Sequence, residues 1–387
     1  MSEKITVGNP EGTQFTFNLL DDDTPDEVVN GLKQAGENWS SVLTDKTYIN
    51  IDFQYTSAGE PNTLGGIISS IIFAPYEVIR QFLAEDVTSD TDQTAVANLP
   101  ENSIDVLINN TSENNGSDLP YLDNNGSMNN SIVALNTANA KALGLSLEDL
   151  AESFGTTPDV IAAELSAESD DLLIDNDTVD ASMELNSDRV WDFDPSDGIS
   201  ADAYDFIGTV THELGHALGF DTNADLLDEF ADPNFVASDL VERFGLFDIF
   251  GLLEETDLEE IGELLNEADL NALADSVAGD RLISENLYIP KTFEFFRYTP
   301  ESFEEGAIDF TAGDDDKYFS IDGGQTEIAQ VSTGRKTGDG NQLSHWEDNL
   351  ISGDMIGIMD PSGMEGEVYS ISDIDLLALD AIGWDII

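Results

Sequence analysis

The sequence predicts an α+β fold, and three observations carry that prediction. Strand-like and helix-like patterns alternate over the first third of the chain. A central amphipathic segment carries two histidines four residues apart. An acidic tract of helical periodicity then separates this segment from a short C-terminal stretch that ends in another helix.

QFTFNL at 14–19 alternates as a strand, 24–44 has helical spacing through Val28, Leu32, Ala35, Trp39 and Leu43, and TYINIDFQY at 47–55 alternates again. The opening is therefore β-α-β. Residues 64–99 read as mostly helical around Ile67, Ile71, Tyr76, Ile79 and Phe82, and 104–110 reads as a strand. An Asn-, Gly- and Ser-rich loop follows over 109–131, with NNGS at Asn114 and again at Asn124. SIVALN at 131–136 is a strand and the candidate sheet edge over a cleft, and 142–167 holds two short helices. Residues 180–195 form a strand with a polar exit. It leads into DAYDFIGTVTHELGHALGF, a helix of about five turns ending near Gly219.

The character changes after residue 222. Residues 239–285 hold 14 Asp and Glu against two Arg, with Leu258, Ile261, Leu264, Leu265, Leu270 and Leu273 at helical spacing, which predicts amphipathic helices with an acidic outer face. FEFFRY at 293–298 and YFSIDGG at 318–324 read as short strands. Residues 371–385 are a terminal helix capped by Ser370 or Ser372. The chain thus divides into an N-terminal subdomain (1–222), an acidic and largely helical insertion (223–340) and a C-terminal subdomain (341–387).

Composition narrows the chemistry. With 80 Asp and Glu against 13 Lys and Arg in 387 residues, the formal charge is −67. Such a surface repels phosphate backbones and anionic lipid, so nucleic acid and membrane surfaces are poor partners, and neither nucleic-acid binding nor membrane insertion is expected. The absence of cysteine removes disulfides, thiolate ligands and cysteine nucleophiles. Any bound metal must use nitrogen and oxygen. No run of about 18 apolar residues predicts membrane insertion, and no secretory signal opens the chain. The acidity reads as a solvated coat, with carboxylate-bound Ca²⁺ in some loops as the sharper alternative.

His212-Glu213-Leu214-Gly215-His216 places two imidazoles one helical turn apart on one face, where both can reach one ion. Chance yields roughly 0.002 such matches in a chain with this few histidines. Zn²⁺ held by three protein ligands keeps an open position for water and lowers that water's pKa, and Glu213 stands beside it as the base. The motif supplies two ligands. Candidates for the third are His345, which is the one remaining histidine, and the carboxylates Asp221, Asp225 and Glu242. His345 is preferred, because Asp221 is too close to the end of the same helix and Glu242 lacks a supporting polar pattern.

HELGHALGFDT resembles the metzincin zinc-protease signature, with Thr222 where the third histidine usually stands. SHWEDNLISGDMIGIMDP, with Met359 fourteen residues after His345, is similar to the metzincin Met-turn. A long insertion before a displaced third histidine resembles the leishmanolysin-like branch, and here the gap is 122 residues, 223–344. The resemblance covers about 175–221 and 341–387.

It implies a metzincin-like fold, with a twisted mixed sheet, backing and active-site helices and an irregular C-terminal lobe. It further implies His212, His216 and His345 as zinc ligands, Glu213 as general base, Met359 as the floor under the metal and Gly219 as the turn out of the helix. The expected activity is that of a zinc endopeptidase acting on protein or peptide substrates. Its expected location is extracellular, by export without a signal peptide or with a signal absent from this chain; the cytoplasm is the alternative. Tyr369 and Tyr298 are the phenols available to assist an oxyanion. Two rival readings are a non-catalytic acidic metal-binding or matrix protein and a zinc amidase of non-peptide substrates.

Overall fold

The computed structural model describes residues 3–21, 23–57, 63–109, 119–157, 178–225, 228, 289–313 and 316–387. The acidic helices expected over 239–285, Glu242, residues 110–118 of the Asn-rich loop and the second helix of 142–167 lie outside the described residues. The rest of that loop contains a short strand at Tyr121–Asp123 and a helical turn at Met128–Ser131. Mixed α and β elements, with several sheets, make up the rest.

The chain opens with a hairpin. β1 (Glu3–Gly8) pairs antiparallel with β2 (Gln14–Leu19), and Gly12 N–H closes the turn on Asn9 C=O at 2.9 Å. The β-α-β reading starts one strand too late, although Asn9-Pro10-Glu11-Gly12 is a turn signal. α1 (Asp26–Ser40) then returns the chain to β3 (Tyr48–Thr56), which lies parallel to β2 and buries Ile49, Ile51 and Phe53 completely.

The helical reading of 64–99 fails over its first third. Gly65–Ser69 is strand β4 and Ile71–Pro75 is strand β5; helices α2 (Tyr76–Glu85) and α3 (Asp90–Asn98) begin only after Pro75. Short apolar runs do not distinguish helix from strand by period, and the β-branched Ile67, Ile68, Ile71 and Ile72 suit a pleated surface.

Short strands β6 (Val106–Ile108) and β7 (Tyr121–Asp123) follow, then β8 (Ile132–Asn136) and β9 (Ala181–Asn186). β9 inserts between β3 and β4, giving a five-stranded mixed sheet in the order β1-β2-β3-β9-β4. β4 runs antiparallel to β9 at the sheet's edge, so it, not 131–136, is the edge strand beside the helix that carries the histidines. β8 is covered on both sides. It pairs with β5, and Ala134 N–H donates to Pro290 C=O at 2.8 Å.

Asn186 N–H donates to Leu64 C=O at 2.9 Å and Ser70 N–H to Asp180 C=O at 2.8 Å. These bonds set the antiparallel alternation, so Gly65, Ile67 and Ser69 turn their backbone N–H and C=O groups away from β9.

The histidine helix spans Phe206–Ala217, twelve residues, shorter than the reading from sequence. Tyr204–Asp205 is a strand beside Trp191–Asp192, and the Asp205 carboxylate caps the helix by accepting Gly208 N–H at 2.8 Å. The helix packs on α1. Trp39 Nε1–H donates to Thr211 C=O at 2.8 Å, and Gly31 lets the Phe206 ring against α1.

Residues 289–340 contribute to the packing below. Thr292–Phe296 is a 3₁₀ turn where a strand is expected, because its aromatic rings all turn inward; only Arg297–Tyr298 is extended. Ile308–Asp309 pairs with β6, and Phe293 and Phe319 join Phe220 and Trp346 in one aromatic cluster. The terminal helix, Asp373–Ala381, is capped by Ser372, one of the two expected caps. Among the described residues no helix is long and apolar enough to cross a membrane.

Candidate metal centre

His212 and His216 project from one face of the buried helix, and the loop after Leu343 brings His345 to them across 133 positions of sequence. His345 Nε2 and His216 Nε2 each lie 3.2 Å from His212 Nε2, and the three candidate ligand atoms all lie within 4.8 Å of one another. Two nitrogens held tetrahedrally at Zn–N distances of 2.0–2.1 Å would be about 3.3 Å apart.

The opposite ring nitrogens decide what the close approach means. His212 Nδ1 is 2.7 Å from Ile358 C=O, His216 Nδ1 is 2.8 Å from Phe220 C=O and His345 Nδ1 is 3.2 Å from Gln342 C=O. A carbonyl only accepts, so each Nδ1 carries the hydrogen and each Nε2 presents a lone pair. Three lone pairs facing one another cannot hydrogen-bond. They repel unless a cation lies between them, and carbonyl-oriented imidazoles are the usual support of metal-binding histidines. Burial pushes all three imidazoles down, His212 to about 3, and repulsion from the neighbouring rings adds to the effect at His212 and His345. They are therefore neutral, as ligands must be. This cluster of three histidines could hold a metal ion.

Glu213 follows His212 on the same helix. The residue is 8% exposed, and burial raises its pKa to about 8 when the cluster holds no cation. No described residue donates a hydrogen bond to it.

Gly215 sits between the two helical histidines, and a Cβ there would overlap Met359 Sδ. Met359 is 1% exposed, pressed under this turn of helix. Gly219 has φ +114°, a conformation that L side chains rarely adopt, and takes the chain out of the helix against Asn139 and Ile382.

Of the carboxylates considered as alternative ligands, Asp221 and Asp225 have other partners. Asp221 pairs with Lys291; its burial, which opposes ionisation, is outweighed by that ammonium, and its pKa falls. Asp225 accepts Leu343 N–H at 2.7 Å and Ser344 Oγ–H at 3.2 Å, so it holds the segment that delivers His345. Thr222, at the position of the usual third histidine, donates instead to Glu294, which also accepts Ala224 N–H and Lys291 N–H.

Neither candidate phenol bonds to a histidine. Tyr298 O–H donates to Phe295 C=O at 3.2 Å, and the Tyr369 hydroxyl is held by Met364 N–H, Ser362 C=O and Glu367.

The sequence reading missed the groups that support the imidazoles. Ile358, Phe220 and Gln342 act through backbone carbonyls, which leave no trace in residue type. Asn136, whose Nδ2–H donates to His216 C=O at 2.8 Å, lies in a segment read only as a strand.

No family model, curated protein or solved structure matches the chain.

Proposed function

We propose that the chain is a zinc-dependent endopeptidase built like a metzincin, with His212, His216 and His345 as ligands and Glu213 as general base. The observation that carries this reading is the set of three Nε2 lone pairs converging on one point, each ring locked by a carbonyl, beside a glutamate that has no hydrogen-bond partner among the described residues. A site that only stored metal would have no use for that glutamate.

Zinc, when bound there, would lower the pKa of a water toward about 7 and polarise a carbonyl. Its charge would also draw Glu213 down into the ionised form. Glu213 then takes the proton from the attacking water and passes it to the leaving amine. The backbone groups of β4 at Gly65, Ile67 and Ser69, which no described residue pairs with, support an extended peptide as substrate, since a strand added there would pair through its main chain. Support for the family reading comes from the motif spacing, the mixed sheet with its antiparallel edge and the methionine under the helix.

The test is cleavage of a mixed peptide library by wild type and Glu213→Ala at matched zinc content. The reading expects cleavage by wild type and a loss of at least about 10²-fold in the variant. Equal cleavage by both would reject Glu213 as base. Cleavage of acylated amides but not peptides would move the assignment to an amidase.

A further inference from the structure

We propose that Asp375, on the terminal helix, is a positioning residue for the metal centre, acting on two of the three histidines through groups beside them. This rests on the three-histidine metal site, not on the reaction assigned to it.

Asp375 is 1% exposed, no cation bonds to its carboxylate among the described residues, and the carboxylate is held by N–H groups and the Ser372 side chain. Oδ1 accepts the Trp346 indole N–H at 2.7 Å. Oδ2 accepts Ile358 N–H at 2.8 Å and Ser372 N–H at 2.7 Å, the second closing the helix cap. A cap alone needs only Ser372 and the helix's own N–H groups. The other two bonds reach the centre: Ile358 is the residue whose carbonyl holds His212 Nδ1, and Trp346 follows His345 directly.

The close approach is built in. A Cβ on Gly357 would overlap the Asp375 carboxylate, so glycine precedes Ile358 where the carboxylate must reach the backbone. Trp346 N–H also donates from its backbone to Met359 C=O at 3.0 Å, tying the loop that carries His345 to the turn under the helix. One buried carboxylate thus sets the spacing between the turn that orients His212 and the loop that carries His345. Such supporting groups typically change metal affinity 10- to 100-fold.

The polarity of the bonds supplies the test. Asparagine has the shape of aspartate but presents one acceptor and one donor, so in Asp375→Asn an NH₂ must face an N–H. Trp346→Phe removes the indole donor and relieves that clash. Zinc affinity is measured by competition with a chromophoric chelator, and the visible spectrum of the Co²⁺-substituted protein reports ligand geometry.

Asp375→Asn should bind zinc about 10- to 100-fold more weakly, with an altered Co²⁺ spectrum. Adding Trp346→Phe should bring affinity back to within about threefold of Trp346→Phe alone. A role in folding only would lower the melting temperature of the metal-free protein and leave affinity and spectrum at wild-type values; that result overturns the proposal. Should Asp375→Asn not fold, Trp346→Phe carries the test, and wild-type affinity and spectrum there would overturn it equally. Wild type that binds no metal would instead reject the site on which the proposal rests.

Discussion

Gly215→Ala separates two effects that predict opposite signs. By intrinsic propensity, alanine in a helix interior is more favourable than glycine by about 0.8–1 kcal/mol. By packing, the new methyl would overlap Met359 Sδ and come within 3.5 Å of the Trp39 ring, in a region where both side chains are about fully buried. Overpacking of this kind costs about 1–3 kcal/mol, so the net effect should be destabilisation of up to about 2 kcal/mol. Met359 is unbranched and can shift, which argues for the middle of that range.

Urea denaturation of the metal-free protein measures the change directly. Gly66→Ala is the control, because nothing lies within 4 Å of its would-be Cβ. Adding Met359→Ala to Gly215→Ala should make the glycine substitution less costly than it is in wild type. A Gly215→Ala variant more stable than wild type by about 1 kcal/mol would refute the close packing of Met359 under the histidine helix.

Three other perturbations follow from the same structure. Lys141→Met should destabilise by about 3–5 kcal/mol, because it strips the ammonium 2.7 Å from the fully buried Asp180 carboxylate, which joins Asn50 of β3 to Thr137; thermal melts check this. Burial and the repulsion of neighbouring carboxylates raise Asp45 and Asp86 to about 7, so the fold holds protons that the unfolded chain releases. Their contribution is fully present below about pH 4 and is lost as pH rises through about 7. Asp86→Asn should therefore raise the melting temperature more at pH 8 than at pH 5, and an equal change at both would contradict the assignment. His345→Ala should abolish tight metal binding while leaving the metal-free melting temperature nearly unchanged, since the three facing lone pairs repel one another; a much lower metal-free melting temperature would count against that repulsion.

The three-histidine cluster is more legible in the sequence than the fold around it. Two histidines at helical spacing leave few alternatives, and with three histidines in the chain His345 was the one imidazole left to complete the set. Helix geometry already disfavours Asp221, whereas Asp225 is eliminated only in space, because its partners Leu343 and Ser344 lie more than a hundred positions away. The β4–β5 segment was misread because isoleucine runs fit both periods, and β4 becomes an edge strand only through pairing with β9, more than a hundred residues later. Asp375 reads in sequence as the third residue of a capping box, and its reach to Ile358 and Trp346 comes from tertiary packing alone.

The central claim is that three imidazoles hold one catalytic zinc, and metal analysis combined with X-ray absorption on the purified protein tests it most directly. The account predicts one zinc per chain with three imidazole nitrogens and one lighter oxygen ligand at about 2.0–2.1 Å, and loss of that signal in His345→Ala. Purified protein that takes up no zinc, or zinc whose spectrum is unchanged by His345→Ala, would contradict it.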